Sequence, residues 1–478
     1  MFRPCRFPCL ASALVVTVVN LSGCAMQSYR AAPIDPAAGA QRFEARTLDT
    51  PALKEYMVAH GHPASDWPVE RWGLTELTLL AFYDHPDLEV ARAQAQAMRA
   101  EAVAATQRVP FVVTPRVEHH SLRTAEQSSP WSLGFEVQIP LAAASKGEAI
   151  RTRYDALIQA ADLKVGAVAW EVRSRVRVRL VDVYSNGAEI DLLQRAVHER
   201  EAMLTLLEQR LQAGAVSAVE VNTARLALVD AQSRLQTARS ASARNLGALA
   251  QALSLSLPLV RTLRLDYADL LQTASTTQQA ETRRAALLNR LDIRGKLVEY
   301  AAAEADVRLE VARQYPTLAI TPGFLWDQGD NIWSLAATVV PAVLGNRPAI
   351  AAAEARREVE ASQFRALQDR VIGEAQGAEA AYASLALALT QAEQANVLHT
   401  TRAQQTEGQF AAGYADRVEL TAAHLEAIEA QRGALALRIE ALRAQGILED
   451  ALQMPLTGGP LPQLGGTPSA SITGLARQ

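Results

Sequence analysis

The sequence is poor in cysteine and in aromatic residues. Of its 478 residues only three are cysteines, Cys5, Cys9 and Cys24, and 5% are aromatic. Because Cys5 and Cys9 fall within a signal-like N-terminus, a processed chain keeps Cys24 alone, which excludes an intramolecular disulfide framework. Few aromatics, with long tracts of Ala, Leu, Glu, Gln and Arg, are typical of long helices and coiled coils.

Other absences exclude whole classes of protein. Beyond residue 24 no apolar run reaches 18 residues, so a transmembrane helix is not expected and a membrane-spanning structure would have to be a barrel. The net charge of −4 argues against a nucleic-acid partner. GxSxG, HExxH, P-loop and GxGxxG motifs are missing, so no catalytic residue and no cofactor is predicted. The histidine pairs His60/His62 and His119/His120 lack further ligands at metal spacing, so no metal site is predicted.

The N-terminus reads as an export signal. Arg3 and Arg6 precede the apolar stretch 9–19, which is too short to span a bilayer. It ends in Leu21-Ser22-Gly23-Cys24, which resembles a bacterial lipobox that is cut before a cysteine carrying lipid. We therefore expect lipidation of Cys24. Because residue 25 is Ala and not the Asp that favours inner-membrane retention, we expect the anchor to lie in the outer membrane. An ordinary signal cut after Gly23, or a cysteine present there by chance, is the alternative.

The rest of the chain is a duplication. The stretch 210–232 (RLQAGAVSAVEVNTARLALVDAQ) returns as 409–431 (QFAAGYADRVELTAAHLEAIEAQ), and Tyr184 matches Tyr382 at an offset of 198 residues. Pro110 and Pro140 likewise match Pro316 and Pro341. Repeats of this length are duplicated domains and not units of a solenoid.

Each half reads as helix, β-hairpin, long helix, turn and helix. The first half predicts helices at 74–108, 146–212 and 218–253, and the second at 287–313, 348–410 and 416–452. In 146–212 the apolar residues recur in steps of three, four and seven, which is a heptad pattern. The stretch 172–180 also alternates like a strand, but the longer helical pattern takes precedence. About 67 residues at about 1.5 Å each make a helix of about 100 Å.

Both predicted hairpins, at about 111–140 and 317–341, have one apolar and one polar face. In the second strand of each hairpin, alternation predicts a strand of the length that spans a membrane barrel, whereas residues 111–121 match less well because Pro115 interrupts their pattern. Soluble hairpins packed on a core are the alternative for either one alone. Four strands cannot close a barrel, so several copies must contribute strands. The apolar face of the second strand of each hairpin comprises Trp131, Leu133, Phe135, Val137 and Ile139, and Trp333, Leu335, Ala337 and Val339.

In their order and spacing these features resemble the TolC-like outer-membrane efflux proteins over about residues 70–453. The resemblance implies a mainly α fold with a membrane β-barrel contribution: a trimer whose twelve-stranded barrel, four strands from each subunit, continues into an α-helical periplasmic tunnel. The resemblance departs after the second strands, where 141–147 and 342–347 lack the Asp-x-Gly of many members. The implied domains are a signal peptide (1–23), a lipidated extended segment (24–70), repeat 1 (71–253), an equatorial connector (254–283), repeat 2 (284–453) and a disordered tail (454–478).

The resemblance also implies a function and its sites. It implies a passive channel of a tripartite efflux system that conducts drugs or metal ions from a proton-driven inner-membrane pump, through a periplasmic adaptor. Glu407 is the candidate for a periplasmic constriction, with a solvated coiled-coil charge as the alternative. A duct for protein secretion and a periplasmic coiled-coil scaffold remain alternative functions. The expected adaptor-docking turns are Gly214, Ala215, Val216 and Ser217, and Gly413, Tyr414, Ala415 and Asp416.

Overall fold

A computed structural model of the chain describes residues 29–107, 109–121, 129–141, 144–272, 288–340 and 346–457. Cys24, Pro341, the departing segment 342–345 and most of the predicted tail lie outside these residues. The chain divides into two compact units, Met1–Arg46 and Thr47–Gln478. In the first unit, α1 (Pro36–Glu44) begins at Asp35, whose Oδ1 accepts a hydrogen bond from the Ala37 amide at 2.9 Å.

The second unit begins with helices where the sequence analysis predicted an extended segment. Helix α2 (Pro51–Ala59) is capped by Thr50 and has proline at its first position, where a missing N–H costs nothing. Leu53 and Met57 are buried in the main core. The prediction of an extended 24–70 is therefore wrong at α1 and α2, because capping residues followed by proline start a helix even in a proline-rich segment.

The predicted helix 74–108 is also interrupted. Helix α3 (Leu74–Asp84) ends at His85, and α4 (Pro86–Thr106) starts anew. Pro86 lacks the N–H that would continue α3, and its ring disfavours a helical conformation at His85. His85 is extended, and its Nδ1 lies 3.2 Å from the Asp87 amide, which donates to it as an N-cap contact.

The two hairpins form one four-stranded antiparallel sheet. Its strands β1 (Val112–His119), β2 (Trp131–Leu141), β3 (Thr317–Asp327) and β4 (Asp330–Val340) lie in sequence order. A two-residue turn joins β3 to β4, and both of its residues, Gln328 and Gly329, have positive φ, as hairpin turns require. Pro115, which interrupts the alternation of β1, is accommodated because β1 is an edge strand.

Long helices make up the rest of the described chain. After β2 come α5 (Ala144–Gln212), α6 (Ala218–Ala252) and the short α7 (Leu257–Val260). Around the second hairpin lie α8 (Leu291–Ala312), α9 (Arg347–Ala411) and α10 (Arg417–Leu452). With 69 and 65 residues, α5 and α9 are each about 100 Å long. The alternating stretch 172–180 is helical, as its heptad context predicted.

The main core lies around the middle of α5. Val172, Val176 and Leu180 are fully buried there against α3 and the end of α6. The connector after α6 packs on the same core and is tied to the start of α3: the Trp72 amide donates to the Arg264 carbonyl at 2.9 Å. Burial of the heptad residues decreases along α5, and Leu211 near its end is exposed. Among the described residues, no helix combines the length and the apolarity that crossing a bilayer requires.

Candidate functional site

The sheet has one continuous apolar face. Residues directly opposite in neighbouring strands share a face, and Phe135 pairs with Phe324, which pairs with Trp333. The Phe324 and Trp333 rings are 4.8 Å apart between centroids. The alternation predicted for β2, β3 and β4 therefore holds, and the structure shows that β1 follows it as well. Most of the large side chains of this face are exposed: Val113, Val117, Trp131, Leu133, Phe135, Ile139, Leu318, Trp333, Leu335 and Val339.

The opposite face is mainly polar. Arg116 Nε lies 2.7 Å from Glu118 Oε1 on β1. Nearer the loops, the buried Ser132 hydroxyl donates to Asp327 on β3, and its oxygen lies 2.9 Å from His120 Nε2. This contact joins the first hairpin to the second. A sheet with an exposed apolar face and a polar face with satisfied hydrogen bonds can separate lipid from water if its edges are closed.

The two edges of the sheet are open. Strands β1 and β4 each pair on one side, within the part of the chain that the structure describes. An apolar, unpaired edge is a template for another strand and is not tolerated in lipid. In the observed order β1 and β4 run antiparallel to each other, so β4 of one copy can pair with β1 of the next.

Two helical turns lie at the far ends of α5 and α9, where the sequence analysis placed them. Gly214 and Gly413 have φ of +74° and +80°, the left-handed conformation that ends a helix. The amides of Ala215 and Tyr414 close each turn by donating to carbonyls in the preceding helix, both at 2.8 Å. The Tyr414 side chain is almost fully exposed at the tip.

The two turns are connected to each other. Ser217 and Asp416 begin α6 and α10 with reciprocal capping bonds to Glu220 and Glu419. Asp416 Oδ2 also lies 3.0 Å from Arg210 Nη2, in the last turn of α5. The Glu419 amide, and then the Arg210 guanidinium, hold the pKa of Asp416 below its ordinary value. Glu407 is exposed near the end of α9.

A series of ion pairs joins α5 to α10, and sequence reasoning did not find it. The two helices run antiparallel, so each successive pair lies nearer to the turns in both helices. The pair nearest the core is almost fully buried, and both side chains of the pair at the tip are more than a third exposed. The pairs are Arg173–Glu449 (2.9 Å), Asp182–Arg443 (2.9 Å), Glu189–Arg432 (2.8 Å), Glu199–His424 (3.1 Å, charged only when the histidine is protonated) and Arg210–Asp416 (3.0 Å).

The innermost pair belongs to a buried polar cluster. The Glu449 side chain is 1% exposed and faces both Arg173 and Arg177. Trp170 Nε1 and the Ser174 hydroxyl both donate to Asp450, at 2.8 and 2.6 Å. Burial raises the pKa of Asp450 and lowers the pKa of Arg177. The available signal was the pair of acids at 449–450 in the otherwise apolar end of α10.

The histidines of the two pairs named in the sequence analysis make other contacts. The His119 ring packs edge-on against Trp131, and His60 Nδ1 lies 2.7 Å from the Tyr56 carbonyl oxygen. In the part of the chain that the structure describes, no three His, Cys, Asp or Glu side chains come close enough to share a metal ion.

Comparison with solved structures shows which fold this is. The chain superimposes on the outer membrane protein VceC of Vibrio cholerae with a TM-score of 0.63 at 17% identity, covering 79% of this chain and 95% of that one. For the outer-membrane channel OprN the TM-score is 0.62 at 18% identity, covering 90% and 98%. For the open state of the MtrE outer membrane channel of Neisseria gonorrhoeae the TM-score is 0.60 at 17% identity, covering 80% of this chain and 89% of that one. No protein-family model and no curated protein sequence matches the chain.

The chain therefore has the fold of outer-membrane channel proteins. The predicted fold class, a duplicated and mainly helical chain with a four-stranded contribution to a sheet, is confirmed. The compared proteins are an outer membrane protein and two outer-membrane channels.

Proposed function

We propose that the chain is the outer-membrane channel of a tripartite efflux system and passively conducts small toxic compounds, drugs or metal ions. The observation that carries this proposal is the two-faced sheet with open edges, continuous with helices of about 100 Å. Such a sheet is stable in lipid only as part of a closed barrel, and helices of this length reach far from the membrane. The fold shared with OprN and MtrE supports the same function.

Assembly and partners follow from this proposal. Three copies would supply twelve strands, and the turns at Gly214–Ser217 and Gly413–Asp416 would dock a periplasmic adaptor attached to a proton-driven inner-membrane pump. The exposed Tyr414 and the open turn backbone are suited to such contact. Glu407 would face the periplasmic constriction. The domain divisions given in the sequence analysis, apart from the extended conformation of 24–70, belong to the same proposal.

The lipid anchor at Cys24 is a separate part of the proposal, because it depends on the lipobox alone. Cys24→Ser removes the thiol and leaves the sheet unchanged. A channel should then stay in the outer-membrane fraction through carbonate extraction, because its strands hold it there. A scaffold held only by lipid should become soluble. Release of the variant into the soluble fraction would contradict the barrel.

Loss of the gene tests the transport function. Deletion should lower tolerance to drugs or metal ions, and the wild-type chain on a plasmid should restore it. A chain with both turns replaced by Gly-Ser linkers is the control: it should insert but fail to restore tolerance. Unchanged tolerance to every toxicant, together with a defect in protein export, would favour the secretion duct.

A further inference from the structure

The polar face of the sheet carries a hydrogen-bonded relay at its loop end. Its members are His120, directly after β1, Ser132, near the start of β2, and Asp327, at the end of β3. His120 Nε2 lies 2.9 Å from the Ser132 hydroxyl oxygen and 3.7 Å from Asp327 Oδ1, the atom to which Ser132 also bonds. Ser132 is fully buried, whereas the side chains of His120 and Asp327 are each more than a third exposed. The relay therefore joins three strands and remains in contact with solvent.

The direction of these hydrogen bonds determines where the proton of His120 lies. A serine hydroxyl has a single proton, and because the ionised carboxylate of Asp327 can only accept, Ser132 donates to it. The Ser132 oxygen then accepts from His120, so neutral His120 carries its proton on Nε2, and Nδ1 is the atom that takes up a second proton. Protonation therefore leaves both hydrogen bonds of the relay in place and adds a positive charge beside Asp327.

This added charge is large relative to the fixed charge of the polar face. Directly opposite residues share a face, as do residues two and four apart along a strand. In the described strands, the polar face therefore has a formal charge of −3 when His120 is neutral and −2 when it is protonated. The charged strand residues of this face are Arg116, Glu118, Glu136, Asp327 and Asp330.

The groups around His120 suit a cation. Asp327 from β3 and Glu118 from β1 are carboxylates on the same face, Asp330 of β4 lies opposite Asp327, and β2 contributes the neutral Ser132. Arg116 is the one cation of this face within the described strands, and its Nε already lies 2.7 Å from Glu118. A protonated His120 thus lies among acids whose charge it offsets.

The adjacent histidine lies on the other face of the sheet. His119 is opposite Trp131, and their rings pack edge-on with 4.6 Å between centroids. Neighbouring residues of a strand point to opposite faces, so His119 belongs to the apolar face while His120 contacts the polar one. Under the proposed function, His119 faces lipid and His120 faces the water-filled interior. The chain therefore contains its own control for the titration of His120.

We propose that His120 makes the preference of the pore for cations depend on the external pH. This inference rests on the proposed channel function and names the residue that determines which charged solutes pass the outer mouth. With His120 neutral, the acidic face favours cations over anions, because a cleft lined by one sign of charge concentrates ions of the other sign. Histidine gains its charge between about pH 8 and 5, where carboxylates remain largely ionised. Acidification therefore removes one of three net negative charges per copy and weakens the preference.

Reversal potentials across a planar bilayer test this inference. Purified full-length protein is recorded in a KCl gradient at about pH 8 and about pH 5.5, which gives the ratio of K⁺ to Cl⁻ permeability at either end of the histidine range. The wild-type ratio should fall about two-fold on acidification, because a third of the net charge is lost. His120→Gln keeps an N–H donor for Ser132 but cannot be protonated, so its ratio should stay nearly constant. His119→Gln should behave like the wild type.

A second variant removes the same charge without a histidine. Asp327→Asn lacks one carboxylate at every pH, so its ratio at about pH 8 should match that of the wild type at about pH 5.5. A wild-type ratio that does not change with pH, or a pH dependence that His120→Gln retains in full, would overturn the inference and leave the channel function standing. Membranes that stay silent with the wild type and with every variant would instead overturn the channel function itself.

Discussion

Glu449 and Asp450 are adjacent in the sequence, but their carboxylates have different roles. Glu449 compensates two buried arginines, Arg173 and Arg177, and cannot lose its charge without leaving them unpaired. Asp450 is bound by two neutral donors, and burial raises its pKa, so its charged form is disfavoured in the fold. Removing the charge of Glu449 should therefore lower the free energy of unfolding strongly, whereas removing the charge of Asp450 should have a small effect.

The variants Glu449→Gln and Asp450→Asn measure this difference. Glu449→Gln should cost about 3–5 kcal/mol, the usual effect of breaking a buried pair. Asp450→Asn loses one acceptor but also a desolvated charge, so it should cost less than about 1.5 kcal/mol. Denaturant unfolding followed by circular dichroism gives both values. Equal losses of unfolding free energy in the two variants would show that the ion pairs of Glu449 are not the main source of stability in this cluster.

At the scale of elements, each turn needs glycine because its backbone is left-handed at that position. Gly413 has a φ of +80°, whereas Gly408 lies within α9, and both have open space where a Cβ would be. Gly413→Ala should therefore destabilise the hairpin by about 1 kcal/mol through strain alone. Gly408→Ala should stabilise it by a similar amount through helix propensity. Thermal unfolding midpoints should move in opposite directions, and a shift in the same direction would contradict the left-handed turn.

The contact between the two turns should weaken in acid. Because the folded pKa of Asp416 lies below its unfolded value of 3.8, its stabilisation is complete above that value and is lost as the pH falls through the lowered one. The hydrogen-exchange protection factors of the first α10 amides, which correct for the intrinsic effect of pH on exchange, should therefore fall over this window. Asp416→Asn keeps a capping oxygen but cannot be titrated, so its amides should show no such acid transition. Identical profiles for the two proteins would assign the transition to other groups.

Local patterns predicted the elements better than the contacts between them. The heptad stripe and the glycine at 214 placed the long helix at 146–212, and the structure has it at Ala144–Gln212. Alternation placed the strands and their faces correctly. The early helices were missed because a proline-rich segment was taken as extended. The break at Pro86 was missed because helical spacing continues on both sides of it. The ion pairs between α5 and α10 could not be predicted, since they depend on which helix lies opposite which.

At the scale of the whole molecule, one chain is an incomplete object. Its sheet has two open edges, and α4, α6 and α9 each present an apolar face that no other described element covers comparably. In the proposed assembly these surfaces would face neighbouring copies. Under the proposed function the assembly, and not the single chain, is the unit that conducts.

Planar-bilayer recording of the purified assembly tests this central claim most directly. Insertion should give stable, discrete conductance steps of one recurrent size, because a barrel closed by a fixed number of copies has a fixed pore. Chain carrying Leu335→Asp/Val339→Asp, which places charge on the exposed apolar face of β4, is the matched control and should give a reduced frequency of insertion. Membranes that stay silent with correctly folded wild-type protein, or steps of continuously variable size, would contradict the account.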